Sequence, residues 1–107
     1  MREIAEKLRE YVLGLGEDVT ESPVKDYIAY RTTRNICCLE VHREHLLLYL
    51  TLDPALGSDC PNCRDVTSIG HYGTGRLEVR VTSADDVPVA EGLLDLAYKE
   101  LSGASAV

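Results

Sequence analysis

The chain contains no tryptophan and no phenylalanine. Its core must therefore come from leucine, valine, isoleucine, alanine and parts of six tyrosines. Lysine is scarce: Lys7, Lys25 and Lys99 are the whole set, and none stands beside a group of carboxylates. The carboxylate-plus-lysine signature of a nuclease is thus missing. No apolar run approaches the ~18 residues that a spanning helix needs, and the N-terminus is charged and amphipathic with no secretory signal. These absences predict a cytoplasmic protein that makes no membrane contact and keeps its thiols reduced. There is no Gly-Lys-Ser/Thr, which excludes a P-loop, and no Gly-x-Ser-x-Gly nucleophile elbow.

What is present is one domain's worth of chain, 107 residues with 45% hydrophobic content, enough to bury a single core without staples. The formal net charge is −7, and it is unevenly spread. Residues 1–26 carry four basic and seven acidic side chains, residues 27–84 six of each, and residues 85–107 one lysine against five acids. The ends are acidic and the neutral middle holds His42, His45 and His71. An acidic body disfavours non-specific nucleic-acid binding, which depends on phosphate contacts, but it leaves room for a local arginine patch.

Periodicity predicts an α+β fold. Ile4, Leu8, Tyr11, Val12 and Leu15 recur at helical spacing over residues 2–15, with Gly14 and Gly16 as left-handed caps at the end. Strands are predicted at about 18–22, 26–32, 36–42, 45–52 and 76–82, with Arg43-Glu44 as a two-residue hairpin loop. Leu46, Leu48, Leu50 and Leu52 fall on one side of their strand, and Leu77, Val79 and Val81 on one side of theirs. Residues 53–66, with two prolines, a glycine and three aspartates, read as a loop. Ser83-Ala-Asp-Asp86 resembles a capping box that opens a helix at 86–102, buried through Ala90, Leu93, Leu94, Ala97 and Leu101. The expected architecture is an antiparallel meander of four to five strands with both terminal helices on one face, the other face mixed and open to solvent.

Three features carry candidate chemistry. In 68-SIGHYGTGRLEV-79, Gly70, Gly73 and Gly75 surround His71 and Tyr72 just before Arg76. The glycine order is reversed from the dinucleotide fingerprint, and a strand follows instead of a helix. A tight structural turn is the simplest reading, and a small amide nest for an anion is the functional one. His71 is the histidine that a hydrolytic reaction would use. In 60-CPNC-63, Cys60 and Cys63 supply two thiolates toward zinc, which wants four ligands; inert loop cysteines are the alternative. In 27-YIAYRTTR-34, Tyr27, Arg31 and Arg34 combine aromatic surface with guanidinium, a combination suited to bases or to a protein partner.

The run YIAYRT…HLLLYLTLDP…RDVTSIGHYGTGRLEVRVTSADDV…LLDLAYKEL resembles an uncharacterised bacterial and archaeal domain family sometimes labelled "predicted transport protein". The likeness covers nearly the whole chain and is most specific over 64–81, including Gly70, His71, Gly73, Gly75, Leu77 and Glu78. Such domains occur alone or at the C-terminal end of restriction-nuclease-like or defence-related proteins. The resemblance therefore implies an accessory module. CPNC departs from the family's usual text, which makes zinc binding particular to this chain if it occurs. The sequence is read as a non-enzymatic binding or interaction module whose open sheet face and 70–76 loop meet nucleic acid, another protein or a second copy. The alternatives are a small-molecule or anion-binding domain and a zinc-stapled domain.

Overall fold

A computed structural model describes residues 2–32, 34–68 and 75–101. Helix α1 (Arg2–Leu13) leads into strands β1 (Thr20–Pro23), β2 (Ile28–Arg31), β3 (Asn35–Val41) and β4 (Leu46–Leu50). A 3-10 turn over Pro54–Gly57 precedes β5 (Cys63–Asp65) and β6 (Leu77–Val81). A second 3-10 turn over Ala84–Asp86 then runs into α2 (Val87–Leu101). The six strands form one sheet in the order β1-β2-β3-β4-β6-β5, antiparallel throughout.

The α+β class and the meander from β1 to β4 are as expected, and the described residues hold six strands instead of four to five. The extra strand, Cys63–Asp65, lies in the stretch read as loop. Its three residues show no apolar alternation, and it pairs only with β6, at the sheet edge. A short polar strand is how an edge is usually blunted, and it leaves no hydrophobic trace to read. Because β6 lies between β4 and β5, the chain leaves β4, passes to the far edge and folds back.

Both helices cover one sheet face. Leu46, Leu48, Leu50 and Leu52 are buried there together with Leu77, Val79 and Val81. Leu8 and Val12 of α1 and Ala90, Leu93, Leu94 and Ala97 of α2 close over them. Each fully buried leucine or valine contributes roughly 1.5–3 kcal/mol relative to exposure. Two tyrosines tie the helical segments together: the Tyr11 hydroxyl donates to Asp95 at 2.8 Å, and the Tyr98 hydroxyl to Asp18 at 2.9 Å. The expected left-handed caps at Gly14 and Gly16 are not formed, since neither has a positive φ. Gly14 N–H continues the helical pattern to the Glu10 carbonyl at 2.9 Å. Gly16 is instead small for its neighbours, because a Cβ there would run into the Tyr98 hydroxyl and into Asp18.

The capping box forms as the sequence implies. The Asp86 carboxylate accepts the Thr82 and Ser83 amides at 2.9 and 3.3 Å, and also the Asn62 side-chain amide at 2.7 Å. These contacts hold it below the ordinary aspartate value of 3.8, the Thr82 amide first among the causes. The hairpin at Arg43-Glu44 is closed by His42 N–H to the His45 carbonyl, 2.9 Å, without any residue of positive φ. Among the described residues no helix is long and apolar enough to cross a membrane.

The second sheet face corrects the expectation of an open surface. Ala29, Cys38, Tyr49 and Val66 are buried on it as a smaller cluster, with Tyr27 and Leu47 packed alongside. Val66 belongs to the segment assigned to loop. It continues the β5–β6 ladder, its N–H donating to the Arg76 carbonyl at 2.8 Å, and so brings an apolar side chain onto Tyr49.

Gly75 is the position that the opposite face depends on. It has φ +138°, and a Cβ would lie 2.8 Å from the Tyr49 carbonyl carbon. Replacing Gly75 with alanine is expected to cost about 1–3 kcal/mol. Gly92→Ala, on a helix surface with nothing within 4 Å of the added carbon, should gain about 0.5–1 kcal/mol. Urea denaturation of the two variants checks both signs.

A pH dependence follows from Glu21, whose carboxylate takes the Arg9 guanidinium bidentately at 2.7 and 3.2 Å and the Tyr30 hydroxyl at 2.9 Å. The Arg9 bond chiefly holds it below the ordinary glutamate value of 4.5. A carboxylate with a depressed folded pKa contributes its stability above the unfolded value and loses it as pH falls through the folded one. Glu21→Gln should therefore lower the unfolding free energy at pH 7 by about 1 kcal/mol, as read from urea denaturation, and the difference should shrink as pH falls.

Candidate functional site

Antiparallel register builds a row of side chains across five strands of the second face. Ala29 lies opposite Cys38, Cys38 opposite Tyr49, Tyr49 opposite Glu78 and Glu78 opposite Arg64. The next row sets Glu40 opposite Leu47 and Leu47 opposite Arg80. A third pairing, of Val66 with Arg76, extends the surface beyond β5 and β6.

Two carboxylates in these rows are taken out of water: Glu40 is 7% exposed and Glu78 8%. A buried carboxylate is costly unless it is paired and hydrogen-bonded. Each has found a partner. Glu40 Oε1 lies 3.0 Å from His42 Nε2, and Glu78 Oε2 accepts from Arg64 Nη2 at 3.1 Å. Between them stands Tyr49, the register partner of Glu78. Burial first, and then the charges of Glu40 and Glu78, push the Tyr49 phenol well above its usual value, so it remains protonated.

At the hairpin end, His42 and His45 stack with ring centroids 4.6 Å apart and planes 15° from parallel. Burial, then the Arg80 charge, then His42 hold His45 below its ordinary 6.5. A depression of about 380 Å³ opens beside Glu78, between Arg64, Arg80 and the Pro61-Asn62 turn. Cys60 and Cys63, one wall of this depression through Cys63, are joined in a disulfide. The expected reduced thiols are therefore found only at Cys37 and Cys38, which are buried on opposite faces. Among the described residues, no group of three or more metal-ligating side chains gathers.

The residues singled out in the sequence are brought together in part. Tyr27 is half-buried against the second-face cluster, and Arg76 is exposed at the start of β6. The Thr67 hydroxyl and amide chiefly hold Asp65 below its ordinary value, with the Arg76 charge adding a smaller part. Gly75 lies against Tyr49. Arg31 and Arg34 are exposed at the β2–β3 turn, at the opposite side of the sheet from Arg64. Gly70, His71, Tyr72 and Gly73 lie outside the described residues. Sequence reasoning missed Glu40, Tyr49, Arg64 and Arg80 as site residues, and used Glu78 only as a mark of resemblance. No local signal marks the two carboxylates: each sits between apolar residues, Leu39-Glu40-Val41 and Leu77-Glu78-Val79, whose side chains alternate onto the other face, the ordinary pattern of a solvent-facing glutamate.

A family model described as "Domain of unknown function (DUF5655)" matches residues 1–100. The chain belongs to this family. An uncharacterised protein of Haemophilus influenzae is 26% identical over 101 residues, covering 94% of this chain and 33% of that protein. The chain thus spans about a third of the length of this curated relative. No solved structure matches. The DUF5655 span takes in every element of the sheet and both rows of the site. Since the DUF5655 description carries no activity, a functional reading rests on the geometry of this face.

The electrostatics make one clear prediction. Arg80→Gln should raise the His45 pKa toward 6.5, while His45 in the parent protein titrates below it, as read from the imidazole proton shifts in an NMR pH series.

Proposed function

We propose that the chain is a non-enzymatic recognition module, accessory to a larger nucleic-acid-processing or defence assembly, and that the β5–β6 half of the second face takes a phosphate backbone. The observation that carries this reading is the set of three exposed guanidiniums, Arg64, Arg76 and Arg80, which the register places on one surface of adjacent strands. Arginine presents a planar fork that fits phosphate oxygens bidentately. Glu78 fixes Arg64 in place, so part of the ordering cost of that side chain is already met before a partner arrives. The chain as a whole is acidic, −7, so attraction for a polyanion depends on local arginine clusters such as this one. The three-fold greater length of the Haemophilus influenzae relative agrees with a domain that serves alongside others.

Tyr49 is buried and Tyr27 half-buried, so base stacking on the sheet is not part of the proposal; contacts are to the backbone. Three phosphate contacts imply a salt slope near −2.7 on duplex DNA, or roughly a 40-fold loss of affinity between 50 and 200 mM salt. Fluorescence anisotropy with a labelled DNA duplex should show that slope, and Arg76→Ala/Arg80→Ala should weaken binding at least tenfold. Binding that is insensitive to salt or to the double variant, or no binding at 50 mM salt, would overturn the reading.

A further inference from the structure

A second cavity lies on the other side of the molecule and shares no strand with the arginine edge. It opens between the first turns of α1 and the ends of β2 and β3, with a volume of about 390 Å³, inside the ~300–1,000 Å³ range of small-molecule sites. Its floor is apolar. Ile28 and Leu39 are register partners on the helix-covered face, and Val41 follows two residues on. The alternation that buries Cys37 and Leu39 under the helices points Val41 the same way, yet Val41 is 50% exposed. Above it α1 presents Ala5, a side chain too short to fill the gap. Among the described residues, a strip of core face is therefore left without its cover.

The rim is cationic. Arg9 is committed to Glu21, and Tyr30, fully buried at the back of the cleft, donates to the same carboxylate. That network cancels Glu21 and stiffens one wall. Arg2 and Arg43 line the cleft from opposite elements, the helix and the β3–β4 turn, and neither is ion-paired among the described residues. Against them stands Glu6, 3.9 Å from Arg9 and itself exposed. Two uncommitted guanidiniums over a hydrocarbon floor match a molecule with an anionic end and a short apolar body. A purely apolar ligand would leave the arginines unused, and a bare anion would leave the floor wet.

We propose that this cleft binds a single small amphiphilic carboxylate, its head group held by Arg2 and Arg43 and its hydrocarbon lying over Ile28, Leu39 and Val41. The test uses sodium octanoate as the probe, with acetate and 1-octanol as head-only and tail-only comparators, followed by titration calorimetry and by amide NMR shifts of the full chain. Octanoate should bind at least tenfold more tightly than either comparator and should move the amides of Ala5, Ile28 and Val41. Arg2→Ala/Arg43→Ala should weaken octanoate at least tenfold and leave 1-octanol unchanged. Both arginines are exposed, so the fold is expected to survive, as far-UV circular dichroism would verify. Val41→Trp, which fills the cleft from its open end, should abolish octanoate binding with the arginines intact. Equal binding of octanoate and 1-octanol, shifts centred on another part of the molecule, or octanoate affinity unchanged in either variant would overturn the proposal.

Discussion

Two glutamates removed from water on one face of a sheet impose the strictest demand in this structure. A lone buried carboxylate would cost several kcal/mol, and the register answers for each. Glu78 sits opposite both Tyr49 and Arg64, while Glu40 finds His42 two residues along its own strand. The three-residue strand β5 exists in part to deliver that arginine. Without β5, Glu78 would lose its cation and Val66 would no longer cover Tyr49. The smaller apolar cluster and the polar rows are thus one arrangement: the cluster lowers the local dielectric, and the hydrogen-bonding partners make that tolerable.

Gly75 links this arrangement to the loop that precedes β6. Its backbone runs so close to Tyr49 that a methyl group would collide with the β4 main chain. The chain can then turn directly into the strand that carries Glu78 and Arg80. Of the two readings of the glycine-rich stretch, the structural one accounts for Gly75 in full.

The sheet's principal face was legible because it obeys strict alternation over Leu46–Leu52 and Leu77–Val81, and because two amphipathic helices supply a matching cover. The capping box at Ser83–Asp86 was legible for a similar reason, being local in sequence. What could not be read depended on partners far along the chain. Cys63-Arg64-Asp65 has no strand signature until β6 lies beside it, and a glutamate in a strand reads as solvent-facing until both neighbouring strands and Val66 close around it. Tyr27, Gly75 and Arg76 were singled out from the local text of their stretches, whereas Arg64 and Arg80 drew notice only through the register. The cleft beneath α1 was invisible for a further reason: it reflects where the helix stops covering the sheet, and no residue pattern encodes that.

The strand order also bears on how the molecule is made. β4 gains its second neighbour only from residues 77–81, and β5, although synthesised earlier, has no place to pair until that same stretch arrives. On the ribosome, therefore, α1 and the first four strands can assemble while one edge of the leucine strand and much of its apolar face stay uncovered. The edge is closed when β6 arrives, and the face when α2 follows it. An unpaired edge next to exposed leucines is the kind of nascent surface that recruits chaperones or neighbouring chains, so this domain is most open to wrong partners just before its final third is made.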